Sequence, residues 1–73
     1  MINYYISFGQ AQVHSYNGMT LDKDILLCIK AYNYLDAIKI ARTAFNNQYA
    51  CIYKEEDINE ELMKHFPRGI HYA

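Results

Sequence analysis

The sequence predicts a single α+β domain over residues 1–73, with a three- or four-stranded, mainly antiparallel sheet, one main helix packed on it and a short second helix. Three observations predict this fold. Apolar residues alternate with others over residues 2–8, Asn17-Gly18 has the composition of a tight turn, and residues 34–45 repeat apolar side chains at helical spacing. The predicted order is β-β-α-β-α-(β). A chain of this length has room for only one core.

The first predicted strand has one continuous apolar face. Its members are Ile2, Tyr4, Ile6 and Phe8. Beyond Gly9 the alternation weakens, and only Ala11 and Val13 extend it. Tyr5 falls on the opposite face, where an aromatic ring could stack on a nucleobase if that face were open.

Asn17-Gly18 is the strongest turn signal, because both central positions of a type I′ turn require positive φ. We therefore expect a hairpin there, with residues 19–24 leading into a second strand at Ile25–Ala31. Both faces of that second strand are apolar, which predicts a central position in the sheet.

The main helix is predicted to begin after Asn33, a suitable N-cap, with Asp36 in the first turn where its charge suits the helix dipole. Asn46-Asn47 is a suitable end, since asparagine tolerates the left-handed conformation. One helical face carries the apolar stripe Tyr34, Ala37, Ile38, Ala41 and Phe45.

The remaining segments are shorter. A third strand is predicted at residues 48–53, with Tyr49, Cys51 and Tyr53 on one face; whether it is central or at an edge stays open. Asp57 and Glu60 have the spacing of a capping box that opens a short helix. We expect that helix to bury Ile58, Leu62 and Phe66 and to end at Pro67, with residues 69–73 as a final edge strand.

The formal net charge of −1 lacks the basic excess of most nucleic-acid-binding domains. The charge is also unevenly placed. Residues 1–21 contain no Asp, Glu, Lys or Arg, whereas five of the eight acids lie within residues 55–61. That distribution favours a neutral scaffold followed by an acidic contact surface.

The cysteines, Cys28 and Cys51, are predicted to be free thiols of a cytoplasmic protein, because no secretory or membrane-spanning pattern accompanies them. Zinc sites use closely spaced ligand pairs, and the cysteines and histidines form none. We therefore expect neither a metal nor a cofactor.

Gln10, His14, Asp22 and Asp24 flank the predicted hairpin, where a histidine oriented by a carboxylate could serve as a general base. Ordinary polar loop residues are the favoured interpretation, since no activated nucleophile or phosphate-binding loop is visible. The sequence alone leaves open whether these four residues form a functional cluster.

The acidic stretch could occupy a basic groove on a partner in place of phosphates, or it could simply cap an exposed helix. Tyrosines on an exposed surface and an arginine in a rigid turn are typical of protein-binding surfaces. The predicted partner-binding residues are Glu55, Glu56, Asp57, Glu60, Glu61, Tyr49, Tyr53 and Arg68.

Residues 4–10, residues 17–24 and residues 66–69 together resemble a family of very small proteins encoded by bacteriophages and other mobile elements. The resemblance spans nearly the whole chain, although related proteins tend to carry a second histidine where this chain has Gln12. Small phage proteins with acidic patches are often inhibitors of host defence. The resemblance therefore implies an inhibitor similar to the anti-CRISPR proteins, with a Cas effector or another defence complex as its partner.

Two other functions remain as expectations. A small nucleic-acid- or nucleotide-binding accessory protein would use the tyrosines and the region around His14, and an enzyme would depend on His14 itself. A homodimer is also expected to be favourable, because a small core gains from covering an exposed sheet face.

Overall fold

The strands of the main sheet are β1 (Ile2–Ser7), β4 (Ile25–Ala31), β5 (Cys51–Lys54) and β6 (Gly69–Tyr72). A computed structural model describes residues 1–10 and 13–73 and arranges these strands in the order β5-β1-β4-β6. β1 pairs antiparallel with both β4 and β5, whereas β6 runs parallel to β4. The α+β class is confirmed, and the sheet is mixed. No helix among the described residues is long and apolar enough to cross a membrane.

The alternation predicted for β1 divides its side chains between two cores. Tyr4, Ile6 and Phe8 are buried on one face of the sheet, and Tyr5 is buried on the other. β4 is buried on both faces, as its apolar pattern predicts, and it lies between β1 and β6. Its core residues on the second face are Leu26 and Cys28.

The predicted hairpin forms, but it joins other strands than expected. β2 (His14–Tyr16) and β3 (Met19–Leu21) make a separate two-stranded sheet around Asn17 and Gly18, whose φ angles are 50° and 78°. β1 pairs directly with β4 instead, which places the hairpin beside the main sheet with Leu21 fully buried in the first core. Ala11, in the predicted extension of the first strand, lies outside the described residues.

Helix α1 (Tyr34–Phe45) has the predicted caps. The side chain of Asn33 accepts a hydrogen bond from the Asp36 N–H at 2.8 Å, and Asn46 ends the helix in the left-handed region at φ 50°. The helix packs on the first face of the sheet through Ala37, Ala41 and Phe45, the buried members of the predicted stripe.

A 3₁₀ turn (Glu55–Asp57) follows β5, and the other face is covered by Ile58, by helix α2 (Glu60–Met63) and by Phe66. The predicted capping box is wrong, because Asn59 caps α2 by accepting from the Leu62 N–H at 2.9 Å. Asp57 instead accepts from the Lys54 N–H at 3.2 Å and closes the 3₁₀ turn. α2 ends at Met63, before Phe66-Pro67.

Of the predicted line Ile58, Leu62 and Phe66, only Leu62 lies on α2; Phe66 is buried in the second core, and Ile58 and Leu62 are partly buried against it. The final edge strand, β6, is confirmed. Both faces of the sheet are therefore covered by the chain itself, and only its edges are open to a further strand.

Candidate functional site: a groove beside the open edge of the sheet

β5 forms one of the two edges of the sheet, opposite the β6 edge, and among the described residues it pairs only with β1. The strand begins later than predicted, because a bulge precedes it. The Ala50 N–H donates to the Ser7 carbonyl at 2.8 Å, and the Cys51 N–H donates to the Ser7 Oγ at 3.1 Å, so two residues lie opposite one. Hydrogen-bonding direction alternates along an antiparallel strand, so the N–H and C=O of Ile52 point away from β1. This edge offers backbone groups to an added strand.

A groove of about 440 Å³ lies between β5 and α1, and we call it the edge groove. Arg42 is the one charged residue that lines it. The groove lies beside the outward-pointing backbone of Ile52, so an extended segment paired with β5 would lie against its walls. Its lining residues are Tyr34, Ile38, Arg42, Tyr49, Ala50, Cys51, Ile52 and Tyr53.

A second depression of about 590 Å³ lies at the end of β5, and Tyr34 lines both it and the edge groove. The Lys54 ammonium lies 5.9 Å from the centre of the Tyr34 ring, as in a cation–π contact. Glu55 and Glu56 border the same depression. The edge groove and this depression together thus carry a guanidinium near the start of β5 and two carboxylates near its end.

The acidic stretch is split between two sides of the molecule. Glu55 and Glu56 border the groove on the α1 side. Glu60 and Glu61 lie on α2, which packs on the opposite face of the sheet, and Glu61 makes an ion pair with Lys64 at 3.3 Å. Asp57 closes its own 3₁₀ turn. Of the five predicted acids, only Glu55 and Glu56 therefore line the groove.

The prediction that Tyr49 and Tyr53 share a face is wrong. Tyr49 packs against the α1-side core, and Tyr53 packs in the other core with its ring 6.4 Å from that of Phe66. Strand alternation begins only at Cys51, after the bulge, so it cannot relate residue 49 to residue 53. Both tyrosines nevertheless line the edge groove.

Arg68, a predicted contact residue, is held within the chain. Its guanidinium donates to the Asp22 carboxylate at 2.8 Å and to the Thr20 carbonyl at 3.3 Å. A backbone hydrogen bond from Asp24 to Asp22, together with Arg68, lowers the pKa of the Asp22 carboxyl. Arg68 thereby ties the turn before β6 to the end of the hairpin.

The possible cluster of Gln10, His14, Asp22 and Asp24, which the sequence left open, does not form. His14 Nε2 lies 2.8 Å from the carbonyl of Gln48, and its ring contacts Phe8 and Phe45. Asp22 pairs with Arg68 as described above, whereas Gln10 and Asp24 border a separate depression together with Lys23 and His65. A base oriented by a carboxylate is not formed at His14.

Within residues 1–10 and 13–73, no three His, Cys, Asp or Glu side chains are grouped so as to hold a metal ion. Cys28 is buried, which raises the pKa of its thiol and disfavours the reactive thiolate. Cys51 is exposed on the edge strand.

Sequence reasoning missed an apolar surface at one end of the domain. Five large apolar side chains are exposed where β1 begins, β4 ends and α1 begins. We call this the end surface; its members are Met1, Ile2, Tyr32, Tyr34 and Leu35. The sequence does contain two uncharged stretches, residues 1–5 and residues 31–35, that could have indicated this surface. The two stretches come together only through the pairing of Ile2 with Ala31, which the sequence did not predict.

The chain matches no protein-family model, no curated protein and no solved structure.

Proposed function

We propose that this chain is a non-enzymatic inhibitor that binds a host-defence protein such as a Cas effector through the edge groove and the acidic depression beside it. The observation that carries the proposal is the unpaired β5 edge beside a tyrosine-lined groove that ends at Glu55 and Glu56. Unpaired edges accept a strand through main-chain hydrogen bonds, and neighbouring pockets add specificity.

The charges favour a protein partner over a nucleic acid. Two carboxylates border the acidic end of the groove, where a phosphate backbone would be repelled. A basic protein surface would be attracted there instead. Cas effectors hold nucleic acid in a positively charged channel, so Glu55 and Glu56 could occupy positions that phosphates otherwise fill. The end surface adjoins Glu55 and Glu56 through Ile2 and Tyr34, and it would add apolar contact area.

The contacts of His14 also support binding over catalysis. Its Nε2 is engaged with the Gln48 carbonyl and its ring is packed between two phenylalanines, which is a structural role. The enzyme hypothesis depended on a histidine free to exchange protons with a substrate.

The test is plaque formation by a sensitive phage on a host with active CRISPR immunity, with and without expression of this chain. Glu56→Lys and Glu60→Lys change the net charge equally, but only Glu56 borders the groove. We expect the wild-type chain and the Glu60 variant to restore plaques, and the Glu56 variant to inhibit at least about tenfold less. Wild-type chain without effect would reject the defence-inhibitor proposal, and equal loss in both variants would reject the groove as the contact.

A further inference from the structure

We propose that the β5 edge also binds a second copy of this chain, forming a two-fold symmetric dimer through antiparallel β5–β5 pairing. The two four-stranded sheets would then become one continuous sheet. Both faces of each sheet are already covered, so the dimer expected from an exposed sheet face has no such face to use. The edge is where a second copy can extend the sheet.

The chemistry of the edge suits self-pairing. Natural edge strands are usually protected by charges, proline or covering elements, whereas residues 48–53 carry neither charge nor proline and the one charge of β5 is Lys54, at its last position. Antiparallel pairing of this stretch with itself therefore places no like charges opposite each other. The outward N–H and C=O of Ile52 on each chain supply the new hydrogen bonds.

The charges at the two ends of the groove give the pairing its direction. Arg42 lines the edge groove together with Tyr49 and Ala50, near the start of β5, and Glu55 and Glu56 lie at the end of β5. Antiparallel pairing brings the start of one β5 beside the end of the other. Arg42 of each chain then lies near the partner's Glu55 and Glu56, and the two-fold axis repeats that contact.

Lys54 does not reverse this complementarity. It shares the acidic end of the groove with Glu55 and Glu56, and because the Glu55 carboxylate accepts from the Tyr5 hydroxyl at 3.3 Å, Glu56 is the principal partner for Arg42 of the second copy. Its ammonium also lies over the Tyr34 ring of its own chain. No ion pair with Arg42 or Glu56 is formed within the described part of the chain, so both remain available to a partner.

Sedimentation velocity over a wide range of protein concentration tests the dimer with the purified chain alone. We expect a monomer–dimer equilibrium. Arg42→Glu and Glu56→Arg should each raise the dissociation constant at least about tenfold, because like charges then meet twice across the two-fold axis. An equimolar mixture of the two variants should recover dimerisation, since both contacts in the mixed dimer pair opposite charges.

Cys51 provides an independent readout, because it is exposed on β5 whereas Cys28 is buried. A short thiol-reactive crosslinker should yield a covalent dimer of the wild-type chain, and the Cys51→Ser and Arg42→Glu variants should yield little. Circular dichroism confirms that each variant is folded.

A chain that stays monomeric at all concentrations would overturn the proposal and leave the edge to an extended segment of the partner protein. Dimerisation unaffected by either charge reversal, or a mixture that fails to recover it, would overturn it as well. These outcomes are separate from the plaque assay, which measures the host-defence contact.

Discussion

Tyr5 lies on the face of β1 opposite the continuous apolar row, where an aromatic ring could have been open to solvent. The second core covers it, leaving 5% of the residue exposed, and its hydroxyl donates to Glu55 at 3.3 Å. Burial, reinforced by the nearby Cys28 and Glu55, raises its pKa to about 12. A ring packed in this way contributes to stability and is not available to stack on a nucleobase.

Stability should therefore fall with increasing pH above the ordinary tyrosine pKa. Below pH 10.0 Tyr5 is protonated in both states, but between 10.0 and about 12 only the unfolded chain releases the proton. Denaturant unfolding at about pH 9 and about pH 11 should show a smaller loss of stability in Tyr5→Phe than in wild type. Tyr53, whose pKa is also raised, acts equally in both proteins, and both carry Cys28→Ser because the Cys28 thiol, whose pKa burial raises, interacts with the Tyr5 hydroxyl. An equal loss of stability in the two proteins would contradict the assignment of a raised pKa to Tyr5.

Arg68 was predicted to contact a partner, but its hydrogen bonds within the chain stabilise the fold. Its bonds to Asp22 and Thr20 join segments that are 46 and 48 positions apart in the chain. Arg68→Ala should lower the urea midpoint of unfolding by a small amount and leave plaque restoration unchanged at permissive temperature. Lost inhibition with an unchanged midpoint would instead place Arg68 in the contact surface.

At the scale of elements, the hairpin is separate from the main sheet and depends on its turn. Gly18 has φ 78°, and open space surrounds the position that a Cβ would take. Gly18→Ala should therefore cost about 1 kcal/mol of unfolding free energy from backbone strain alone. Asn17→Gly, at a neighbouring position with φ 50°, should cost less. Equal costs, measured by denaturant unfolding, would contradict the strain explanation.

The elements that follow from local pattern were predictable. The caps of α1, the central position of β4 and the packing of Ile58, Leu62 and Phe66 against the sheet all depend on residues close together in sequence. The pairing of β1 with β4 across the hairpin was not predictable, because turn chemistry fixes the turn but not which strands meet beyond it. The parallel placement of β6 is a long-range choice of the same kind.

The candidate site was predictable only in part. Composition drew attention to the acids and tyrosines: Tyr49 and Tyr53 line the edge groove, and Glu55 and Glu56 line the second depression, which shares Tyr34 with it. The bulge at Ala50 changed which tyrosine faces which core, and no local pattern marks it. Glu60 and Glu61 lie away from the groove because α2 packs on the opposite face of the sheet. That placement depends on tertiary packing and could not be predicted from the local sequence.

At the scale of the whole molecule, a net charge of −1 conceals a strongly uneven surface. Apolar side chains gather at the end surface, two carboxylates adjoin it, and an unpaired strand edge extends from there along the edge groove. We propose that these features together form the binding surface of this 73-residue domain. Self-pairing and partner binding would both use the β5 edge.

We propose that the chain inhibits by occupying its partner and not by turnover, and the stoichiometry of inhibition distinguishes these two modes. A fixed concentration of the inhibited defence protein, well above the dissociation constant, is titrated with this chain, and its remaining activity is measured. A binding inhibitor reaches full inhibition only when chains and target sites are about equal in number, and the endpoint does not change with incubation time. Full inhibition at a small fraction of that ratio, deepening with time, would show turnover and contradict the account.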